Sequence, residues 1–180
     1  MRQHRSGHGG RQGGYSLAEA LVVVAIIGII SVVAVPNFIA LYRASKVKGA
    51  ALKFANDLRG ARQRAATTYR PVMVSVGTST DEKGFYWIAS WDGSAWVGST
   101  RRELEAGVPE ASKTTFFRFP GANAFTDAVG SDGRPDIIFE TNGGTRTTPT
   151  NPFLYVETNI DLPKSSYTIR VNSAGTVLVE

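Results

Sequence analysis

Cysteine is absent from the 180 residues, so disulfides, thiolate metal sites and a cysteine nucleophile are excluded. Histidine is confined to His4 and His8. A chain shortened past residue 8 would have no imidazole, and with it would go Ser-His-Asp triads and histidine metal clusters. Acidic residues are missing from positions 1–14, which hold Arg2, Arg5 and Arg11. The net charge of +5 points at first to nucleic acid. Most of that excess belongs to this short stretch, and the remainder is close to neutral. No GxxxxGK phosphate loop and no HExxH helix occur. Acidic neighbours such as Glu103 and Glu105 are not placed around any predicted cleft, so neither an enzyme nor a cofactor is expected.

Charge is also absent from residues 20–42, ALVVVAIIGIISVVAVPNFIALY. About 20 apolar residues at 1.5 Å rise span the ~30 Å hydrocarbon core of a bilayer. A core helix of a soluble protein rarely stays apolar on every face over such a length. The segment is therefore expected to span a membrane. Basic residues before it favour a cytoplasmic N-terminus, while Arg43, Lys46 and Lys48 beyond it argue the other way. A conventional secretory signal fits poorly, because its apolar core is usually 7–15 residues. Glu19 stands at the margin of the segment, where a carboxylate needs either water at the headgroup level or a partner.

The surrounding sequence GGYSLAEALVVVAIIGIISVVAVPNF, residues 13–38, resembles the N-terminus of type IV prepilins and type II secretion pseudopilins. Those chains have a basic leader ending in glycine, then an aromatic residue, a glutamate fifth after the cut and a long apolar helix. Gly14 matches the glycine before the cut and Tyr15 the first mature residue, usually phenylalanine. Glu19 is fifth when Tyr15 is counted as first. Gly13 leaves the junction ambiguous by one position, and the Glu19 spacing selects Gly14. Gly28 and Pro36 match the family's helix-weakening positions.

The resemblance implies that a membrane aspartyl prepilin peptidase cuts after Gly14 and N-methylates Tyr15. It implies that Glu19 neutralises the N-terminal amine of a neighbouring subunit during assembly. It also implies a bacterial inner-membrane location, single-pass, with the N-terminus cytoplasmic and the head periplasmic before incorporation into a pilus or pseudopilus. Partners would be other major and minor pilin or pseudopilin subunits.

Beyond the membrane segment, Val47, Ala51, Phe54, Leu58, Ala61 and Ala65 recur at alternating spacings of four and three, an apolar stripe on one helical face. Lys48, Lys53, Asp57, Arg59, Arg62 and Arg64 lie between them. The stripe is expected to pack on a sheet while the charges face water. Pro71 disfavours helix before it, so the helix should end near Tyr69. Strands are predicted over 72–76, 85–90, 95–97, 115–119, 137–140, 153–157, 167–171 and 177–179. Asp92-Gly93 and the run from Asn172 to Gly175 signal hairpins. Residues 141–152, TNGGTRTTPTNP, are expected to form an exposed loop.

These features give an α+β, pilin-like fold: one long N-terminal helix, membrane-spanning then amphipathic, packed on an antiparallel β-sheet head. The divisions are a leader at 1–14, an assembly helix at 15–42, an amphipathic helix at 43–70 and a β-rich head at 71–180. The segments DLRGARQRAATTYRPVMVSV, residues 57–76, and YTIRVNSAGTVLV, residues 167–179, resemble the helix-to-strand junction and terminal hairpin of GspH/FimT-type minor pseudopilins.

The resemblance implies a structural subunit of a type II secretion pseudopilus or type IV pilus. The alternative is a minor pilin whose head binds DNA or another ligand. DNA uptake in some relatives is attributed to C-terminal arginines, and this chain ends GTVLVE without such a cluster. Asp127, Asp132 and Asp136 offer hard oxygen ligands for calcium, but their spacing is not that of an EF-hand and aspartate beside glycine is ordinary turn chemistry. Phe85, Tyr86, Trp87, Trp91 and Trp96 could stack sugars or bases. Alternation along strands instead places part of this cluster in the core.

Overall fold

The computed structural model describes residues 16–77, 82, 84–108, 113–118, 136–146, 153–158 and 166–180. One helix, α1, runs over Leu17–Thr68 and is followed by β1 (Val72–Val76), β2 (Phe85–Trp91), β3 (Trp96–Glu103), β4 (Thr115–Arg118), β5 (Asp136–Phe139), β6 (Phe153–Thr158), β7 (Ser166–Val171) and β8 (Val177–Val179). The chain divides into two compact units, Met1–Ala40 and Leu41–Glu180. The second is the head.

Two antiparallel four-stranded sheets make up the head, in the orders β3-β2-β1-β5 and β4-β6-β7-β8. Each of the eight predicted strands is present. The one substantial difference is β3, which reaches Glu103 instead of stopping at residue 97. Its added residues are polar and form an edge strand on β2, with the register shifted between Ile88 and Ser90. An edge strand has no second neighbour to bury it, so it lacks the apolar alternation by which strands are recognised. The β2–β3 turn is closed by Asp92, whose carboxylate accepts hydrogen bonds from the Ser94 and Ala95 amides, both at 2.8 Å. Those bonds hold the acid below the usual carboxylate range. Gly93 takes the positive φ the turn needs.

The helical stripe is the spine of the core. Val47, Ala51, Phe54, Leu58, Ala61 and Ala65 are all buried, as are Ala50 and Ala55 beside them. Alanine predominates on this face, which lets the helix lie close to the strands. Val72, Val74 and Val76 of β1 pack into the same cluster with Ile137, Phe139, Ile169, Val171 and Val177. Met73, Ala89 and Ile138 form a smaller cluster with Trp96. Strand β1 lies between β2 and β5 and is buried at all five positions.

Phe54 ties the helix to both sheets. Its ring meets Tyr86 of β2 at 4.9 Å and Phe117 of β4 at 4.8 Å, both edge-to-face. Tyr86 and Phe117 are themselves 6.0 Å apart. The fully buried Tyr86 ring brings its hydroxyl to Asp57, to which it donates. Asp57 also accepts from Arg102 at 2.7 Å. Burial, followed by the Asp57 hydrogen bond, pushes the tyrosine pKa well upward. The helix ends at Thr68, where Thr67 and Thr68 hydroxyls bond back to the Gln63 and Arg64 carbonyls. Tyr69 then takes φ 54° and the chain turns into Pro71.

Burying a phenylalanine contributes roughly 1.5–3 kcal/mol, and an unpaired buried charge adds a further penalty. Phe54→Asp should therefore unfold the head, and Phe54→Ala should cost about 3–5 kcal/mol, read by thermal melting of residues 41–180. A parent-like melt for both would show that this face does not support the sheets. A second prediction concerns alkaline pH. Unfolded tyrosine ionises near pH 10, whereas folded Tyr86 keeps its proton, so the native state binds more protons above that pH. Stability should fall as pH rises past about 10, by up to ~1.4 kcal/mol per pH unit for this group. Tyr86→Phe should lack that share of the slope in urea titrations at pH 9–11; an unchanged slope would contradict the assignment.

Candidate functional site

The apolar arm of α1 is the first candidate. Ser16 caps the helix: its hydroxyl accepts from the Glu19 amide at 3.3 Å, and its carbonyl accepts from the Ala20 amide at 3.1 Å. Glu19 thus occupies the third helical position, where a carboxylate is favoured by the positive end of the helix. Ser16-Leu17-Ala18-Glu19 fits the Ser-x-x-Glu capping pattern, a signal readable in the sequence that a role in assembly does not require. The Glu19 side chain is exposed. So are Leu17, Val24, Ile29, Val32, Phe38 and Leu41, each with more than 60% of its surface accessible. No described side chain before Val47 is buried. An apolar surface of this extent marks a membrane or subunit contact.

Gly28 lies within this arm, and a Cβ there would meet nothing within 4 Å. Its absence of a side chain serves no packing inside the chain. Pro36 sits inside the helix, where it removes one backbone donor. Among the described residues no single helix is long and apolar enough to cross a membrane, whereas the arms Leu17–Val32 and Ala34–Thr68 pass together by length and composition. Gly14 and Tyr15 lie outside the described residues.

The head's charged groups are mostly committed to holding it together. Glu103 accepts from Lys113 at 2.6 Å and from the Gly107 amide at 3.2 Å, while its backbone carbonyl accepts from Lys53 at 2.7 Å. The Lys113 hydrogen bond, followed by that of Gly107, holds the Glu103 carboxyl below its ordinary value. Glu105 accepts from the amides of Thr114 and Thr115 at 2.8 and 3.3 Å, and from their hydroxyls. The two acids turn to different partners and fasten β3 to β4.

Three of the six charges expected to face water do not simply do so. Lys53, Asp57 and Arg62 are half-buried, and each bonds to another element. Lys48, Arg59 and Arg64 are exposed.

Among the aromatic residues, Phe85 and Tyr86 are both buried, so part of the cluster is interior as expected; as strand neighbours they face opposite ways, and only Tyr86 joins the main apolar core. Lys113 and Arg101 stand 3.4 and 3.6 Å from the Phe85 ring centre. Trp87, Trp91 and Trp96 are half-buried, and Trp91 meets Trp96 edge-to-face at 5.3 Å. Asp136 is buried at the start of β5 and accepts from the Ser75 hydroxyl. Asp127 and Asp132 lie outside the described residues. Among the described residues no cluster of three potential metal ligands occurs.

The loop expectation for 141–152 needs correction in its first half. Gly143 is buried, and Thr145 bridges to Phe139 and bonds to the Ser173 carbonyl at 2.9 Å. The cause is Gly175, also buried, whose position against Gly143 closes the C-terminal hairpin onto this segment. Residues 147–152 lie outside the described set.

Comparisons with known proteins agree with this architecture. The family model described as Type II transport protein GspH matches residues 50–175, and that of the Prokaryotic N-terminal methylation motif matches residues 9–35. Among solved structures, the type IV minor pilin FimU of Pseudomonas aeruginosa aligns with a TM-score of 0.51 at 12% identity, over 78% of this chain and 92% of its own. The minor pseudopilin EpsH from the Type 2 Secretion System of Vibrio cholerae aligns with a TM-score of 0.50 at 12% identity, over 75% and 96%. At such identities the correspondence is one of fold. No curated protein matches the sequence. With its family match covering most of the chain and a methylation motif ahead of it, this protein belongs to the GspH family of type II transport proteins.

Proposed function

We propose that the chain acts as a structural minor subunit of a type II secretion pseudopilus or type IV pilus, serving protein secretion or pilus assembly. The observation that carries this reading is the contrast along one helix. Beyond Val47 its apolar face is closed by the head, whereas the described apolar side chains from Leu17 to Tyr42 are exposed, apart from the half-buried Ala40. Such an arm needs lipid before assembly and the arms of other subunits afterwards.

In this reading residues 1–14 are a cleaved leader, 15–42 the membrane and assembly helix, 43–70 the amphipathic helix of the head and 71–180 its β-rich part. The prepilin peptidase is the first partner, cutting after Gly14 and methylating Tyr15. Other subunits of the filament are the rest. The protein would begin in the bacterial inner membrane with its N-terminus cytoplasmic and its head periplasmic. Intact-mass analysis and N-terminal sequencing of membrane-extracted protein should find a mature chain starting at methylated Tyr15. A start beyond Pro36 would mean conventional signal cleavage and would reject the filament reading.

Glu19 has the role of pairing with the Tyr15 amine of a neighbouring subunit. Two opposite charges brought together in an apolar filament interior attract far more strongly than in water, and each relieves the other's desolvation. The helix cap permits a clean test. Glutamine is accepted at the third helical position of a capping box, so Glu19→Gln removes charge while keeping the helix start. Glu19→Gln and Glu19→Ala should both reach the membrane fraction, be cleaved after Gly14 and keep the parent head stability. Both should largely fail to co-purify with the other filament subunits. Normal incorporation of both variants would reject charge pairing.

A further inference from the structure

A groove of about 490 Å³ runs between the helix and the C-terminal β7–β8 hairpin, and its lining includes Arg59, Arg62, Gln63, Asn142, Gly143 and Gly175. No acidic residue is among its lining residues. The two arginines stand one helical turn apart, and each is anchored by neutral oxygens. Arg62 Nε donates to the Gly143 carbonyl at 2.8 Å. Arg59 donates to the Asn56 side-chain oxygen at 2.8 Å and to the Val177 carbonyl at 3.0 Å.

The site is shaped by two glycines. Gly143 and Gly175 have φ of 80° and 74°. A Cβ on Gly175 would stand 2.1 Å from the Gly143 carbonyl oxygen and 3.0 Å from Arg62 Nε. Space demands the missing side chain at Gly175, where the hairpin, the 142–144 segment and the guanidinium meet, whereas at Gly143 a Cβ would make ordinary contact, 3.4 Å from Arg62 Nε, and glycine is favoured by the positive φ. Among the described residues the terminal nitrogens of Arg62 have no protein acceptor, so the end of a planar, oriented fork faces the groove.

We propose that this groove binds a carboxylate side chain on an extended acidic segment of a neighbouring filament subunit. Two like charges one helical turn apart, with no counter-ion among the described residues, are stabilised by an incoming anion, and the Arg62 fork matches the two oxygens of a carboxylate. Arg59 spends both terminal nitrogens on protein oxygens and contributes mainly charge. A single open fork suits one carboxylate, whereas nucleic acid gains affinity by having many phosphates neutralised along a stripe. The Gln63 and Asn142 amides beside the fork can serve the backbone of an extended peptide. That the segment belongs to a filament subunit rests on the proposed function; the carboxylate chemistry does not.

The test uses the full chain in detergent and a fluorescein-labelled Gly-Glu-Gly-Glu-Gly peptide, followed by fluorescence anisotropy against its glutamine counterpart. The glutamate peptide should bind in preference, and added salt should weaken it. Arg62→Gln should weaken it about ten-fold or more. Arg62→Lys, which keeps the charge and loses the fork, should fall between, and Arg64→Gln, on the exposed surface, should change nothing. Thermal melting checks that each variant folds. Should the Arg62 variants fail that check, Arg59→Gln carries the test with a smaller loss. Equal binding of both peptides, or parent-like binding by every folded variant at positions 59 and 62, overturns the proposal. So does an oligothymidine that binds more tightly with the same Arg62 dependence, which would assign the groove to phosphate. None of these outcomes touches the Tyr15 start or the Glu19 variants, so failure here and failure of the filament reading are separable.

Discussion

The head depends on a place being found for Phe54. This side chain leaves the helix midway along its buried stripe and meets one aromatic ring from each sheet, Tyr86 from β2 and Phe117 from β4. Neither sheet alone has a core. Their strands bury apolar side chains only because the helix covers them, and the helix stays on them because alanines on either side of Phe54 allow close approach. The polar fastenings are arranged around the same point. Asp57, one turn beyond Phe54, takes the Tyr86 hydroxyl and Arg102, while Lys53, one residue before, reaches the Glu103 carbonyl. Each of these fixes the helix to the β2–β3 hairpin, and the Glu103 and Glu105 contacts extend the grip to β4. Aromatic packing supplies the apolar burial; the ionic and hydrogen-bonded groups set the register in which it occurs.

Much of this was legible in the sequence, and the legible part is periodic. Spacings of three and four identified all six stripe residues, and each is buried. Apolar runs bounded by glycine, proline and aspartate located the eight strands, with β1 and β8 exact to the residue. Pro71 fixed the helix end to within a residue. The parts that escaped are those in which sequence separation is large and no period exists. Nothing local says that Arg62 will meet Gly143, 81 positions later, or that Gly143 and Gly175 will be buried against each other. The polar half of β3 escaped for a related reason, since an edge strand is defined by the neighbour it follows.

The candidate site divides in the same way. The glycine-aromatic junction, Glu19 and the apolar run are contiguous, so the sequence displays them together. The Ser16 cap is equally local, and it gives Glu19 a helix-start function alongside any function between subunits. Glu19 was therefore legible as a residue to explain, and the Ser-x-x-Glu pattern that marks its place at the helix start is borne out by the bond from its amide to the Ser16 hydroxyl. The arginine groove could not be seen at all from sequence, where Arg59 and Arg62 look like solvated charges on the polar face of an amphipathic helix. What distinguishes them is the pair of glycines that closes a hairpin around one guanidinium, and that pairing exists only in the folded head.

The two stretches of the helix obey opposite rules, and this separates stability from assembly. Every buried hydrophobic residue of the described chain lies at or beyond Val47, so the described core of the head is built without the apolar arm. Changes in the arm are then expected to alter insertion and subunit contacts more than the head, because no described side chain before Val47 is buried. Changes on the 47–65 stripe act the other way, since a collapsed head removes whatever surface it presents to its neighbours. Gly28 illustrates the first rule: the helix propensity it forgoes, about 1 kcal/mol relative to alanine, is not recovered by any close packing inside the chain. In the proposed filament reading, a glycine at such a cost, on an arm whose large apolar side chains are exposed, would be offset by contacts the isolated chain does not make.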